Sequence, residues 1–217
     1  MIECVIFDLD GTLLNTLEDL CDSTNYALSK FGYPERTLDE VRLFVGNGVR
    51  LLIERAIPMG KENPDLEECL KTFKNHYKEN MYNKTAPYPQ VLKLLQTLKT
   101  KKIKTAVVSN KFDLAVKELC KKYFDGLIDI AIGENEAEGI RKKPAPDSVF
   151  RVIKDLKIQT DCAIYVGDSE TDIETAKNSG LDCVYCTWGF RGKDLLKTNK
   201  PRYVIDRPID LLSVIIN

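Results

Sequence analysis

The chain has 217 residues, 43% apolar and 30% charged, with 32 basic and 33 acidic side chains and a formal net charge of −1 at pH 7. That length accommodates one large domain, or a medium core with a small accessory unit, and the balanced charge gives no electrostatic case for nucleic acid or an anionic membrane as partner. No apolar run approaches the ~20 residues of a membrane-spanning helix, and the acid in Met1-Ile2-Glu3-Cys4 stands where a signal peptide is apolar, so a cytoplasmic protein is expected.

The first strand is read at residues 3–7, apolar on both faces as in a covered parallel sheet. Residues 16–84 then contain nothing strand-like. Helical patterns fall near 17–31, 38–44, 48–56 and 65–82, punctuated by Gly32-Tyr33-Pro34 and Pro58-Met59-Gly60. Beyond them strands and helices alternate: strands at 104–108, 128–132, 162–166, 183–186 and 203–205, helices at 90–98, 114–122, 147–156 and 170–178. The alternation predicts a doubly wound parallel α/β sheet, built from residues 1–15 and 85–217. The helical insert, 16–84, is read as a separate small domain suited to act as a lid. Cysteines number seven and are scattered among apolar runs, which fits small hydrophobes in a reducing compartment better than disulfides. Cys183 and Cys186 form a lone C-x-x-C without the second pair or histidine pair that zinc requires. The single histidine, His76, is expected on the surface.

The chemistry concentrates at strand ends. Phe7-Asp8-Leu9-Asp10-Gly11-Thr12-Leu13 follows the first strand, and residues two apart in extended chain point the same way, so Asp8 and Asp10 can converge. Val108-Ser109-Asn110-Lys111 follows another strand with a hydroxyl and an amide. Val166-Gly167-Asp168-Ser169-Glu170-Thr171-Asp172 follows a third with further carboxylates, and Arg141-Lys142-Lys143-Pro144 precedes a helix. Parallel sheets bind ligands at the carboxyl ends of their strands. Oxygen ligands suit Mg2+, a lysine and a hydroxyl suit phosphate oxygens, and an ionised aspartate is a competent nucleophile.

These four segments, in this order, resemble the four motifs of the haloacid dehalogenase superfamily, and the helical insert resembles that family's first type of cap. The resemblance implies that Asp8 is nucleophile and Mg2+ ligand. It implies that Asp10 is the acid and then the base, with its carbonyl on the metal. Ser109, Asn110 and Lys143 would bind phosphate or substrate, Asp168 would be a metal ligand, and Asp172 would support the metal or position Lys143. Dehalogenase members lack an acid at the place of Asp10, which points to a phosphatase. A receiver-type signalling module shares the toolkit but is nearer half this length and lacks the insert.

Three segments resemble the phosphoglycolate phosphatase group of that family: Val45-Gly46-Asn47-Gly48-Val49-Arg50, Val108-Ser109-Asn110-Lys111 and Trp188-Gly189-Phe190-Arg191. Arg50 could pair with a substrate carboxylate, or could lie beside Glu54 as a solvated helix residue. Asn15 departs from the aspartate common after the first motif. The expected reaction is Mg2+-dependent hydrolysis of a small phosphorylated metabolite through an aspartyl phosphate, with 2-phosphoglycolate the leading substrate. Pyrophosphate, sugar phosphates and nucleotides are the alternatives, followed by a mutase, a phosphonate hydrolase or a silent phosphate-binding protein. A monomer or weak homodimer is expected.

Overall fold

Cys4-Val5-Ile6-Phe7 is buried at every residue and forms strand β1 (Cys4–Phe7), the middle of a parallel sheet. The computed structural model describes residues 1–135 and 139–216. After β1 come β2 (Leu14–Asn15) and four helices, α1 (Leu17–Lys30), α2 (Leu38–Phe44), α3 (Val49–Ala56) and α4 (Leu66–Asn80). Then follow β3 (Ala86–Pro87), α5 (Val91–Thr100), β4 (Lys104–Phe112), α6 (Asp113–Phe124), β5 (Ile130–Glu134) and α7 (Asp147–Leu156). The chain ends with β6 (Ala163–Gly167), α8 (Glu170–Ser179), β7 (Asp182–Cys186), β8 (Tyr203–Ile205) and α9 (Leu211–Ile215). Two units result: Met1–Leu14 with Pro87–Asn217, and Asn15–Ala86.

In the α/β unit the strand order is β5-β4-β1-β6-β7-β8, with each neighbouring pair parallel. Both sheet faces are covered, which is why β1 and β6 are apolar throughout. On one face Cys4, Ile6, Val108 and Tyr165 meet Val149 and Val152 of α7 and Ala176 of α8. On the other, Phe7 and Val166 face Val91 and Leu94 of α5 and Leu211 of α9. Each such large side chain contributes roughly 1.5–3 kcal/mol through burial. The chain leaves β1 toward β4 and β5, then crosses to β6 on the opposite side. Strand order therefore reverses between β1 and β6, where such sheets leave a crevice at their carboxyl ends.

Two boundaries differ from expectation. Strand β4 does not stop at Val108 but continues to Phe112, with a register irregularity between the two and Phe112 opposite Glu134. The strand expected at 128–132 is Ile130–Glu134, because its partner runs on. Ser109, Asn110 and Lys111 are thus carried by the extended end of β4 and are buried. Cys183 and Cys186 are buried in β7. Three residues apart on a strand, they point to opposite faces and cannot chelate together.

In the helical unit, capping fixes the turns between helices. Thr37 and Glu40 form a reciprocal capping box at the start of α2, and the Asn15 side chain accepts from the Leu17 amide at the start of α1 at 3.4 Å. Phe73 and Tyr77 stack at 5.6 Å in the unit's interior. Asp19 of α1 is buried and accepts from the Lys84 and Thr85 amides and the Thr85 hydroxyl, at 2.8–3.1 Å. His76 departs from the surface position expected of it: it is partly buried, stacked on Tyr26 at 3.9 Å and in hydrogen-bond contact with Ser23 through Nδ1 at 3.0 Å. Among the described residues no helix is long and apolar enough to cross a membrane.

Candidate active site

The carboxyl ends of β1, β4 and β6 bring Asp8, Lys143, Asp168 and Asp172 together. Asp8 follows β1 directly, and its amide donates to Val166 of β6 at 2.9 Å, which fixes its position at the reversal of strand order. Asp8, Asp168 and Asp172 are all buried, with ligand oxygens within 4.8 Å of one another. Lys143 Nζ lies 2.9 Å from Asp8 Oδ1, 2.8 Å from Asp172 Oδ1 and 3.1 Å from the Tyr165 hydroxyl. The Lys143 backbone is in turn held by Asn110, which accepts from its amide at 2.8 Å and donates to its carbonyl at 3.0 Å.

Asp172 does two jobs through two oxygens. Oδ1 takes Lys143, while Oδ2 accepts from the Ser169 amide and hydroxyl and the Asp168 amide. The second set is the capping box of α8, with Ser169 as N-cap. Helix nucleation and lysine positioning are therefore one structure.

Asp168 is held from the other side. Thr12 Oγ1 donates to its Oδ1 at 3.2 Å and the Phe190 amide to its Oδ2 at 2.6 Å. Trp188 Nε1 donates to the Thr12 carbonyl at 3.0 Å, joining the loop after β7 to the loop after β1. Gly11, at φ +88°, and Gly189 both face this carboxylate so closely that a Cβ at either would collide with it.

Burial dominates the electrostatics. It pushes the Asp8 carboxyl up to about 7 against the pull of Lys143, with Asp172 and Asp10 adding to the rise. Asp168 is raised well above the carboxylate range, first by burial and then by Asp172 and Asp8. Burial disfavours charge on Lys143 too, yet Asp172 and Asp8 outweigh it and hold the ammonium above its ordinary value. Three close buried carboxylates share one ammonium, too little positive charge for all three to ionise, and an all-oxygen donor set of that kind fits a hard divalent cation.

The remaining expected residues fall as follows. Asp10 lies at the same edge, less buried than Asp8, with both carboxylate oxygens 3.0 Å from Lys111 Nζ. Ser109 is buried and its hydroxyl accepts from the Lys111 amide at 3.3 Å. Arg50 belongs to the helical unit, where Glu54 binds it at 3.3 Å and Glu67 binds it as well. Lys111, Tyr165 and the 188–190 loop were not anticipated as site residues. Lys111 and the 188–190 loop did leave a signal, since both lie in segments that carry the resemblance, and Lys111 stands two residues after Ser109 and so on the same side of an extended strand.

A parallel α/β sheet with converging carboxylates, a pinned lysine and a hydroxyl at its switch point fits a protein of the phosphoryl-transfer class. Comparison with known proteins makes this particular. The family model "haloacid dehalogenase-like hydrolase" matches residues 5–186. Phosphoglycolate phosphatase of Aquifex aeolicus is 34% identical over 98% of this chain and 96% of its own length, and that of Mannheimia succiniciproducens is 31% identical over 96% of each. A crystal structure from Lactobacillus delbrueckii subsp. bulgaricus superposes with a TM-score of 0.92 at 34% identity, covering 98% of both chains. The chain belongs to the haloacid dehalogenase-like hydrolases, and it is a phosphatase of that family.

Proposed function

We propose that the enzyme hydrolyses a small phosphomonoester through an aspartyl phosphate, with Mg2+ as its metal and 2-phosphoglycolate as substrate. The observation that carries the reading is the Lys143 ammonium held 2.9 Å from Asp8 by Asp172 behind it. In this mechanism an Asp8 oxygen attacks phosphorus and the bond to the leaving oxygen breaks as Asp10 gives that oxygen a proton. A water then attacks the same phosphorus, Asp10 takes its proton, and the bond to Asp8 breaks to release inorganic phosphate. Ser109 and Lys143 hold the phosphoryl oxygens, and Asn110 sets the Lys143 backbone. Asp8, the Asp10 carbonyl and Asp168 would hold Mg2+, which supplies charge neutralisation of the transferring group when bound. The names of the curated relatives support the substrate.

The test is phosphate release with Mg2+ from phosphoglycolate, pyrophosphate, hexose phosphates and nucleotide monophosphates, with Asp8→Asn as control. Wild type should prefer phosphoglycolate, and the variant should lose at least ~10^3-fold in kcat while keeping its fold. Turnover that persists in the folded variant would sink the covalent mechanism. A preference for another ester would replace the substrate and leave the mechanism standing.

A further inference from the structure

The site holds two buried ammonium groups that serve different carboxylates. Lys143 takes Asp8 and Asp172, on the side of the phosphoryl group. Lys111, only 4% exposed, takes Asp10, both of whose oxygens lie 3.0 Å from its Nζ. Asp168, by contrast, is positioned by neutral donors, Thr12 and the Phe190 amide. Burying an ammonium is costly unless it is paired, and Lys111 is paired with the one carboxylate that meets the leaving group in the proposed mechanism.

We propose that Lys111 determines specificity by reading negative charge on the leaving group, favouring esters whose alcohol carries a carboxylate next to the ester carbon. The proposal rests on the phosphatase reading above, in which Asp10 meets the leaving oxygen. A proton donor lies within about 3 Å of the oxygen it serves, so the ester oxygen falls within roughly 6 Å of Lys111 Nζ. In 2-phosphoglycolate the carboxylate is attached to the very next carbon, and so lies in the same neighbourhood. At such separations in a buried site, opposite charges attract far more strongly than in water. Lys143 pairs with the nucleophile and Lys111 with the acid, so Lys111 is the ammonium on the leaving-group side in this mechanism. Arg50 is the other cation the sequence offers for a substrate carboxylate; it is exposed and paired with Glu54 and Glu67 in the helical unit, and the experiment tells the two apart.

The experiment compares kcat/KM on 2-phosphoglycolate and on ethyl phosphate, its counterpart without the carboxylate, for wild type, Lys111→Met, Lys111→Arg and Arg50→Ala. Wild type should prefer phosphoglycolate. Lys111→Met should lower that preference at least ~10-fold, chiefly through KM, while Lys111→Arg retains most of it and Arg50→Ala leaves it within about twofold. Equal losses on both esters would reduce Lys111 to a positioning residue for Asp10 and overturn the proposal. So would a preference that follows Arg50 instead. Thermal melting reports whether each variant folds. Should Lys111→Met fail to fold, Lys111→Gln takes its place under the same two opposed outcomes, and equal rates of wild type on the two esters refute charge reading outright. Loss of Asp8-dependent phosphate release from every ester in wild type would instead refute the phosphatase mechanism itself, and Lys111's role with it.

Discussion

At Gly189 the backbone passes so close to Asp168 that a methyl group would displace its carboxylate, and the next amide, Phe190, donates to that same carboxylate at 2.6 Å. The loop after β7 thus acts as a mould for a proposed metal ligand. Gly189→Ala should raise the Mg2+ concentration for half-maximal phosphate release about 10–100-fold, the range typical of groups that orient metal ligands. An unchanged Mg2+ requirement in a folded variant would show that the loop does not set the ligand. Asp172 belongs to the same scale: one oxygen starts a helix and the other restrains Lys143, so both depend on a single side chain.

Among the elements, the entry and exit segments of the helical unit are tied by Asp19. Its buried carboxylate collects the Lys84 and Thr85 amides and the Thr85 hydroxyl onto the first turn of α1. Asp19→Ala would leave the buried Thr85 donors unsatisfied, at a cost of about 1–3 kcal/mol each where no water reaches them. Urea unfolding followed by far-UV circular dichroism should show a midpoint lowered accordingly. Lys84→Ala, which removes only exposed pairs with Asp22 and Glu18, should lower it much less. Equal midpoints for the two variants would contradict the tie. Strand β4 makes a complementary point. Its extra residues past Val108 are what deliver Ser109, Asn110 and Lys111 to the edge as one rigid segment.

For the whole molecule, the concentration of like charge at one sheet edge has a thermodynamic consequence. Asp8 and Asp168, which with the Asp10 carbonyl hold Mg2+ in the proposed mechanism, come together only in the folded chain, so a cation bound there stabilises the native state over the unfolded one. Mg2+ at a hundred times its Kd should add about 2.7 kcal/mol, read as a melting temperature that climbs with Mg2+ concentration. The rise should vanish in Asp168→Asn, and EDTA should stop phosphate release until Mg2+ is restored. A melting temperature indifferent to Mg2+ would argue against a divalent ion on these carboxylates.

The alternation of apolar strands and helices was legible because burial on both faces leaves no polar option in runs such as Cys4–Phe7, and because helices of this length repeat their apolar positions. The acids at 8, 10, 168 and 172 were legible for a related reason: carboxylates directly after a buried strand are conspicuous, and topology sends such strand ends to one edge. The end of β4 was not, since its continuation depends on pairing with β5 and not on its own residues. Nor were Tyr165 against Lys143, Lys111 against Asp10, or Phe190 against Asp168. Partners separated by 22 to 101 residues leave no local pattern. Sequence by itself determined which strands are buried and which acids stand at their ends. Only the tertiary structure decided which lysine faces which acid, because that choice is made by strand order and by distances of about 3 Å across it.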